Sequence, residues 1–156
     1  MALELEKSTA VLKHINARKE GPEEDKELAV DIKIEIEEMA VDVLPQFDPA
    51  LRGFLFDKDM VRFPAMDEIK WLGENTNMEI ELCGFTFLGA RISKFSTRPH
   101  INERGADREE FTDVHLATIT CSISFKPRGA EIATIAELLG EATEISIRAR
   151  QKELEV

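Results

Sequence analysis

The sequence predicts a mainly β (α+β) chain, folded as an antiparallel β-sandwich or half-open barrel with two short helices. Three observations predict this fold. Apolar and polar residues alternate over residues 28–37 and again over 117–125. Helical spacing is confined to two short stretches, whereas a parallel α/β fold needs a helix between successive strands. The length of 156 residues fits one domain, which we place at residues 1–156.

The first predicted element is a β-hairpin. Residues 9–19 have weak strand character, and residues 21–25 carry a turn signal. The strand that follows is the clearest in the chain, because its apolar residues share one parity and its charged residues share the other. We expect one buried face and one solvated face. The apolar set is Leu28, Val30, Ile32, Ile34 and Ile36, and the charged set is Asp31, Lys33, Glu35 and Glu37.

A short helix is predicted after the hairpin. Asp48 can accept hydrogen bonds from amides at a helix start, and Pro49 suits the first position of a helical turn. We expect this helix over residues 51–55, closing one end of the core. Residues 57–77 then indicate a connection with one short strand around residues 69–72, since the stretch is rich in turn-forming residues.

Strand character resumes over residues 78–82. The apolar parity then shifts across Cys83 and Gly84, which predicts a bulge or a tight turn. Residues 85–96 continue as a strand, in which Gly89 marks a second kink. Residues 99–110 follow as a charged loop.

The longest predicted strand covers residues 111–125. Apolar residues at helical spacing over 132–139 then predict a second helix that ends at Gly140, and alternation over 144–148 predicts a final strand. We expect the serine and threonine side of the long strand to face solvent. Its inward set is Ala117, Ile119, Cys121, Ile123 and Phe125, and its outward set is Thr118, Thr120, Ser122 and Ser124.

The charge of the chain limits its partners. The formal net charge is −11, from 31 acidic and 20 basic residues, and this disfavours general binding to nucleic acid or to anionic membranes. No apolar run is long enough for a targeting or membrane segment, so we expect the protein in the cytoplasm. Cys83 and Cys121 lack metal-binding spacing, which is typical of buried free thiols.

Motifs for catalysis are absent from the sequence. The histidines His14, His100 and His115 share no spacing that would place two of them on one metal-binding face. No nucleophile elbow, phosphate-binding loop or dinucleotide fingerprint occurs. We therefore expect a protein that is not an enzyme, with no catalytic residues, no metal site and no cofactor.

One segment departs from the acidic background. Residues 91–108 hold five basic and two acidic side chains, which gives +3 in a chain of −11. A segment of this kind can bind a phosphate, a single strand or an acidic partner, and the alternative is a salt-bridged surface loop. Phenylalanines 85, 87 and 95 lie nearby, where they either stack on bases or belong to the core. The candidate binding residues are Arg91, Lys94, Arg98, His100, Arg104 and Arg108.

Four phrases of the sequence, in this order, resemble small proteins encoded by tailed phages and prophages of proteobacteria. The resemblance extends over most of the chain and implies a setting near phage DNA metabolism, in the cytoplasm of a bacterial host, without an activity or catalytic residues. The phrases are VLKHINARKE at 11–20, AVDIKI at 29–34, QFDPALR at 46–52 and IKW at 69–71.

These observations favour a non-enzymatic phage-type accessory protein. It would act by binding a macromolecule, a protein partner in DNA metabolism or in host-defence interference, by occlusion or scaffolding. We expect a homo-oligomer, because a small sandwich leaves edge strands to be covered. The alternatives are an OB-like protein that binds single-stranded nucleic acid, and a phage structural or decoration subunit.

Overall fold

The computed structural model describes residues 3–57, 60–61, 68–101 and 112–150. Antiparallel strands dominate it, as the sequence predicts. A 3-10 helix (Val41–Gln46) and two α-helices, α1 (Leu51–Leu55) and α2 (Gly129–Ala136), accompany them. The strands are β1 (Leu5–Glu20), β2 (Glu27–Ala40), β3 (Phe56–Asp57), β4 (Met60–Val61), β5 (Ile69–Leu82), β6 (Phe85–Ile101), β7 (Thr112–Phe125) and β8 (Ala142–Ala149).

Six of the strands form a closed barrel in the order β1-β2-β7-β6-β5-β8. All neighbours are antiparallel, and β8 closes the ring by pairing with β1 on one side and β5 on the other. The predicted fold class is confirmed, and ring closure goes one step further than a half-open barrel. The expected homo-oligomer rested on free edge strands. Ring closure removes that reason, and the oligomeric state stays a prediction.

The core fills the inside of the barrel. Four of the five predicted apolar residues of β2 are buried, and Leu28 at its start is only half-buried. All five predicted inward residues of β7 are buried. A second, smaller cluster lies under the 3-10 helix and α1, where Leu51 and Leu55 pack with Ala117 and Ile119. The backbone N–H of Ala50 donates to Oδ1 of Asp48 at 2.8 Å just before α1. The predicted helix therefore covers one end of the core.

The hairpin of β1 and β2 is confirmed, and residues 69–72 are strand as predicted, but the connection predicted over residues 73–77 is wrong. Residues 69–82 form one continuous strand, β5. Its pairing with β6 shifts register between Trp71 and Glu74 and again between Asn75 and Met78. These β-bulges break the alternation that identifies a strand in a sequence, so the polar run resembles a turn.

Strand β6 is also longer than predicted, since it continues to Ile101. The start of the predicted charged loop is therefore strand, and residues 102–110 lie outside the described residues. Gly89 (φ 68°) and Lys94 (φ 56°) adopt the left-handed conformation, and the buried parity of β6 changes at each. Cys83 and Gly84 form the tight turn between β5 and β6.

The serine and threonine side of β7 is not simply solvated. Thr118 is buried, and Thr120, Ser122 and Ser124 are half-buried. The side chain of Thr118 donates to the backbone carbonyl of Glu37 at 3.0 Å. The outward side chains of β7 are therefore partly covered by neighbouring residues.

Within the described part of the chain, no helix combines the length and the apolar content needed to cross a membrane.

Candidate functional site

A groove of about 640 Å³ crosses the outward face of the barrel. Five adjacent strands contribute to it in the spatial order β1, β2, β7, β6 and β5. Its volume lies in the range of small-molecule and peptide sites. We call it the lysine groove, and it is lined by His14, Asn16, Asp31, Ile32, Lys33, Glu68, Lys70, Trp71, Leu72, Lys94, Phe95, Ser96, Thr120 and Ser122.

The apolar wall of the groove is built on stacked aromatic rings. Trp71 and Phe95 are cross-strand partners, and their rings stack with centroids 5.6 Å apart and an interplanar angle of 7°. The ring of Phe47 lies 5.2 Å from each of them. Phe95 is 1% exposed, so it anchors the wall to the core, whereas the half-buried indole of Trp71 reaches the groove. Leu72, on the same rim, is fully exposed.

Three lysines give the groove its charge. Lys33, Lys70 and Lys94 come from β2, β5 and β6, and none of them has an ion pair within 4.0 Å among the described residues. Lys94 occupies the bulge of β6, where the left-handed backbone interrupts the alternation of the strand. The charge of Lys94 acts on the Asp31 carboxylate from beyond ion-pair distance. None of the three ammonium groups is therefore held in a short ion pair with a described residue.

Asp31 is the acidic member of the groove that already has partners. Its carboxylate accepts hydrogen bonds from Ser124 Oγ and from Arg18 Nη1. Burial alone would raise the pKa of the Asp31 carboxyl, but the hydrogen bonds from Ser124 and Arg18 outweigh it and hold the pKa below its usual range. Asp31 is thus ionised and matched by Arg18.

Hydroxyl groups line the floor of the groove. Ser96 pairs across strands with Lys70 on one side and Thr120 on the other. Ser122 lies opposite Lys33 of β2 in the same way. Ser96 is 6% exposed, so its hydroxyl lies deep in the floor. The floor therefore combines hydrogen-bond donors with flanking ammonium groups, which is the chemistry that recognises oxyanions.

The predicted cationic residues differ in their positions relative to the groove and in their acidic neighbours. Arg91, Lys94 and Arg98 lie on β6 and not in a loop, and of the three only Lys94 lines the groove. Arg98 lies 3.1 Å from the largely buried carboxylate of Glu35, and Arg91 lies 3.9 Å from the carboxylate of Glu74. These two arginines already have acidic neighbours within the chain.

The other predicted binding residues are His100, Arg104 and Arg108. His100 lies in β6, opposite Asp113 of β7. Arg104 and Arg108 lie outside the described residues.

The phenylalanines proposed for base stacking belong to the core instead. Phe87 and Phe95 are 5% and 1% exposed, and Phe85 packs against Phe87 with centroids 6.2 Å apart. Their faces are therefore not open to bases.

The sequence missed most of the groove. Lys33, Lys70, Ser96, Thr120 and Ser122 come from four different strands, and only the register of the closed barrel brings them together. Each looks like an ordinary outward residue in its own strand. The one available signal was the Thr and Ser run of β7, which predicts a polar face without saying what covers it.

The described residues of the groove include neither a cluster of metal ligands nor a reactive thiol. No group of three or more potential metal ligands occurs among the residues the structure describes. Cys121 is buried beneath the groove floor, and desolvation raises the pKa of its thiol to about 12. Burial also raises the pKa of the Cys83 thiol. Neither cysteine has the depressed pKa of a reactive thiol.

Comparison with family models, with curated proteins and with solved structures finds no match. The phage resemblance therefore stays a prediction from the sequence. The lysine groove is the feature from which a function can be argued.

Proposed function

We propose that this protein is a non-enzymatic phage-type accessory protein that binds an anionic segment of a partner protein in the lysine groove. One observation carries the proposal. Lys33, Lys70 and Lys94 converge on the groove without ion pairs among the described residues, whereas Arg18 and Arg98 on the same outward face are matched by carboxylates. Unmatched cations beside half-buried hydroxyls favour a ligand that supplies the missing negative charge.

The dimensions of the groove favour an extended segment. Five adjacent strands spaced about 4.8 Å apart give a length of roughly 20 Å, which about six extended residues would cover. The fully exposed side chain of Leu72 and the indole of Trp71 offer apolar contacts at the rim. A protein segment can satisfy ammonium groups, hydroxyls and apolar side chains together, and binding would occlude that segment from other partners.

Single-stranded nucleic acid is the less favoured ligand. Sequence-independent binding to a strand combines a cationic groove with several aromatic platforms, and here the phenylalanines of β6 pack in the core, which leaves the half-buried indole of Trp71 as the aromatic side chain that reaches the groove. The net charge of −11 also repels a polyphosphate at long range. The apolar rim at Leu72 favours a protein over a polyphosphate.

The proposal is tested by titrating the protein with a fluorescein-labelled peptide rich in Asp and Glu. Binding is read from the anisotropy of the label and from intrinsic fluorescence, since Trp71 is the single tryptophan and the chain has no tyrosine. We expect binding to weaken about three- to tenfold for each of Lys33→Ala, Lys70→Ala and Lys94→Ala. Lys26→Ala, in the exposed turn after β1, is the matched control.

Failure of the acidic peptide to bind at low salt overturns the proposal. Equal affinity of the three groove variants and the Lys26→Ala control overturns it as well. If a single-stranded oligonucleotide bound more tightly than the peptide, we would conclude that the ligand of the groove is nucleic acid and not a protein segment.

A further inference from the structure

Ser96 is the exception among the buried polar side chains that the structure describes. Five polar residues are buried: Glu35, Ser96, Thr97, Thr118 and Ser146. Thr97 Oγ1 donates to the carbonyl of Thr118 at 3.1 Å, and Ser146 Oγ accepts from the backbone N–H of Lys7 at 2.9 Å. Thr118 and Glu35 also have partners. Within the described ranges, the side chain of Ser96 has none.

A buried hydroxyl without a partner needs an explanation, because leaving such a group unsatisfied costs free energy. Ser96 is 6% exposed and lines the floor of the lysine groove. Its cross-strand neighbours there are Lys70 and Thr120. Lys94 precedes it by two residues, at the bulge that shifts the parity of β6 and places Ser96 on the outward side. The Ser96 hydroxyl therefore has no hydrogen-bond partner among the described residues, and its cross-strand neighbours include the cationic Lys70.

We propose that Ser96 is the centre of an oxyanion subsite that binds a phosphomonoester carried by the partner segment. This inference rests on the function proposed above and names the group that the groove recognises. Ser96, Thr120 and Ser122 supply hydroxyl donors, and Lys70, Lys94 and Lys33 supply charge. A phosphorylated side chain carries about −1.5 to −2 charges and three acceptor oxygens, so it offers more to this donor set than a carboxylate does.

The charge distribution favours one compact dianion over a run of carboxylates. Asp31 and Glu68 also line the groove, and the whole chain carries −11, so each additional carboxylate of a ligand meets repulsion away from the lysines. A phosphomonoester concentrates its charge at one point beside the ammonium groups. Selectivity for phosphate over carboxylate follows from this arrangement.

The inference is tested with two peptides of one sequence, one with serine and one with phosphoserine at the centre of an acidic segment. Calorimetry and Trp71 fluorescence measure binding. Inorganic phosphate and acetate, added separately at equal ionic strength, then test whether a simple anion competes with the peptide. We expect the phosphopeptide to bind at least tenfold more tightly than its parent, and inorganic phosphate but not acetate to compete with it. Ser96→Ala should weaken phosphopeptide binding about tenfold.

Ser146→Ala is the matched control, because it removes the same hydroxyl from a buried site outside the groove. Its phosphopeptide affinity should equal that of the wild type. The unfolding midpoint of Ser96→Ala should equal or exceed the wild-type value, since the variant removes an unpartnered buried group. A loss of binding with an unchanged midpoint is then a loss of recognition and not of folding.

The outcomes separate this inference from the function on which it rests. Equal affinity of the two peptides, or wild-type affinity of Ser96→Ala, overturns the phosphate subsite and leaves a groove for acidic segments. Absence of binding by either peptide overturns both. An oligonucleotide that binds more tightly than the phosphopeptide, with the same dependence on Ser96, overturns the phosphomonoester in favour of a phosphodiester.

Discussion

Two charged regions on the outward face of the barrel are built in opposite ways. In the lysine groove, three ammonium groups lie beside hydroxyls without ion pairs among the described residues. Where β8 closes the ring between β1 and β5, the guanidinium of Arg148 donates to three carboxylates, at 3.2 Å to Glu79 and 3.1 Å to Glu81, and to Glu6 as well. We call these four residues the Arg148 cluster.

The comparison separates charged side chains that are paired with one another, as in the Arg148 cluster, from lysines that have no ion pair among the described residues. The hydrogen bonds that Arg148 donates to Glu6, then to Glu81 and Glu79, raise the pKa of Arg148, and the bond to Glu6 lowers the pKa of that carboxyl. The Arg148 cluster thus links the three strands that complete the ring. In the lysine groove, by contrast, none of the three lysines has an ion pair within 4.0 Å among the described residues, which is the reason to look for function there and not at the more acidic side.

Removing the support of the groove wall should have the largest effect on stability. Phe95→Ala deletes a ring that is 1% exposed and stacks on Trp71, so we expect a loss of about 3–5 kcal/mol in the free energy of unfolding, measured in urea. Phe54→Ala, at a half-exposed position of α1, should cost less than about 1 kcal/mol. Similar losses in the two variants would show that the wall does not depend on Phe95.

A matched pair of serine substitutions should affect stability in different ways in the two regions. Ser146→Ala removes the acceptor of the Lys7 backbone N–H and should lower the free energy of unfolding by about 1–3 kcal/mol. Ser96→Ala removes a hydroxyl without a partner among the described residues and should leave that free energy unchanged or raise it by up to about 1 kcal/mol. Chemical denaturation measures both, and a larger loss for Ser96→Ala would contradict the assignment.

Arg148→Met should lower the unfolding midpoint, because Glu6, Glu79 and Glu81 then face one another without a counter-charge. High salt should reduce the loss, since the Debye length falls to about 3 Å at 1 M and screens exposed carboxylates. The groove variant Lys94→Met should show a smaller loss under the same conditions. A loss for Arg148→Met that does not depend on salt would indicate packing and not charge.

Lowering the pH should reduce the contribution of Asp31, at the edge of the groove, to the free energy of unfolding. The folded pKa of this carboxyl lies below the unfolded value of about 3.9, so its contribution to stability is present above that value and is lost as pH falls through the folded pKa. Asp31→Asn should therefore flatten the acid limb of a plot of unfolding free energy against pH, compared with the wild type. An unchanged acid limb in Asp31→Asn would contradict the pairing with Arg18 and Ser124.

The sequence predicted the fold better than the site, for a physical reason. Alternation in β2 and β7 reports burial directly, so their predicted inward residues are buried, except for the half-buried Leu28. Bulges at Leu72 and Lys94 hide the same signal in β5 and β6, where strand length was underestimated. The site depends on register between strands distant in sequence, and Ser96 becomes notable only once its burial and lack of a partner are seen.

The cationic segment illustrates the same limit. A count of charges along the chain selected Arg91, Lys94 and Arg98 together, although only Lys94 reaches the groove. The carboxylates that match the two arginines, Glu74 and Glu35, belong to β5 and β2. Charge along the sequence therefore locates candidates, and pairing across strands decides which of them remain available.

The most direct test of the account is an amide NMR map of the protein during titration with the phosphoserine peptide. The account predicts shifts at the amides of Lys70, Ser96 and Ser122 that saturate with ligand, and no shifts at Glu79 or Arg148. Saturable shifts confined to the Arg148 cluster would place the ligand on the other side of the barrel. That result would contradict the central claim that the unmatched lysines mark the binding site.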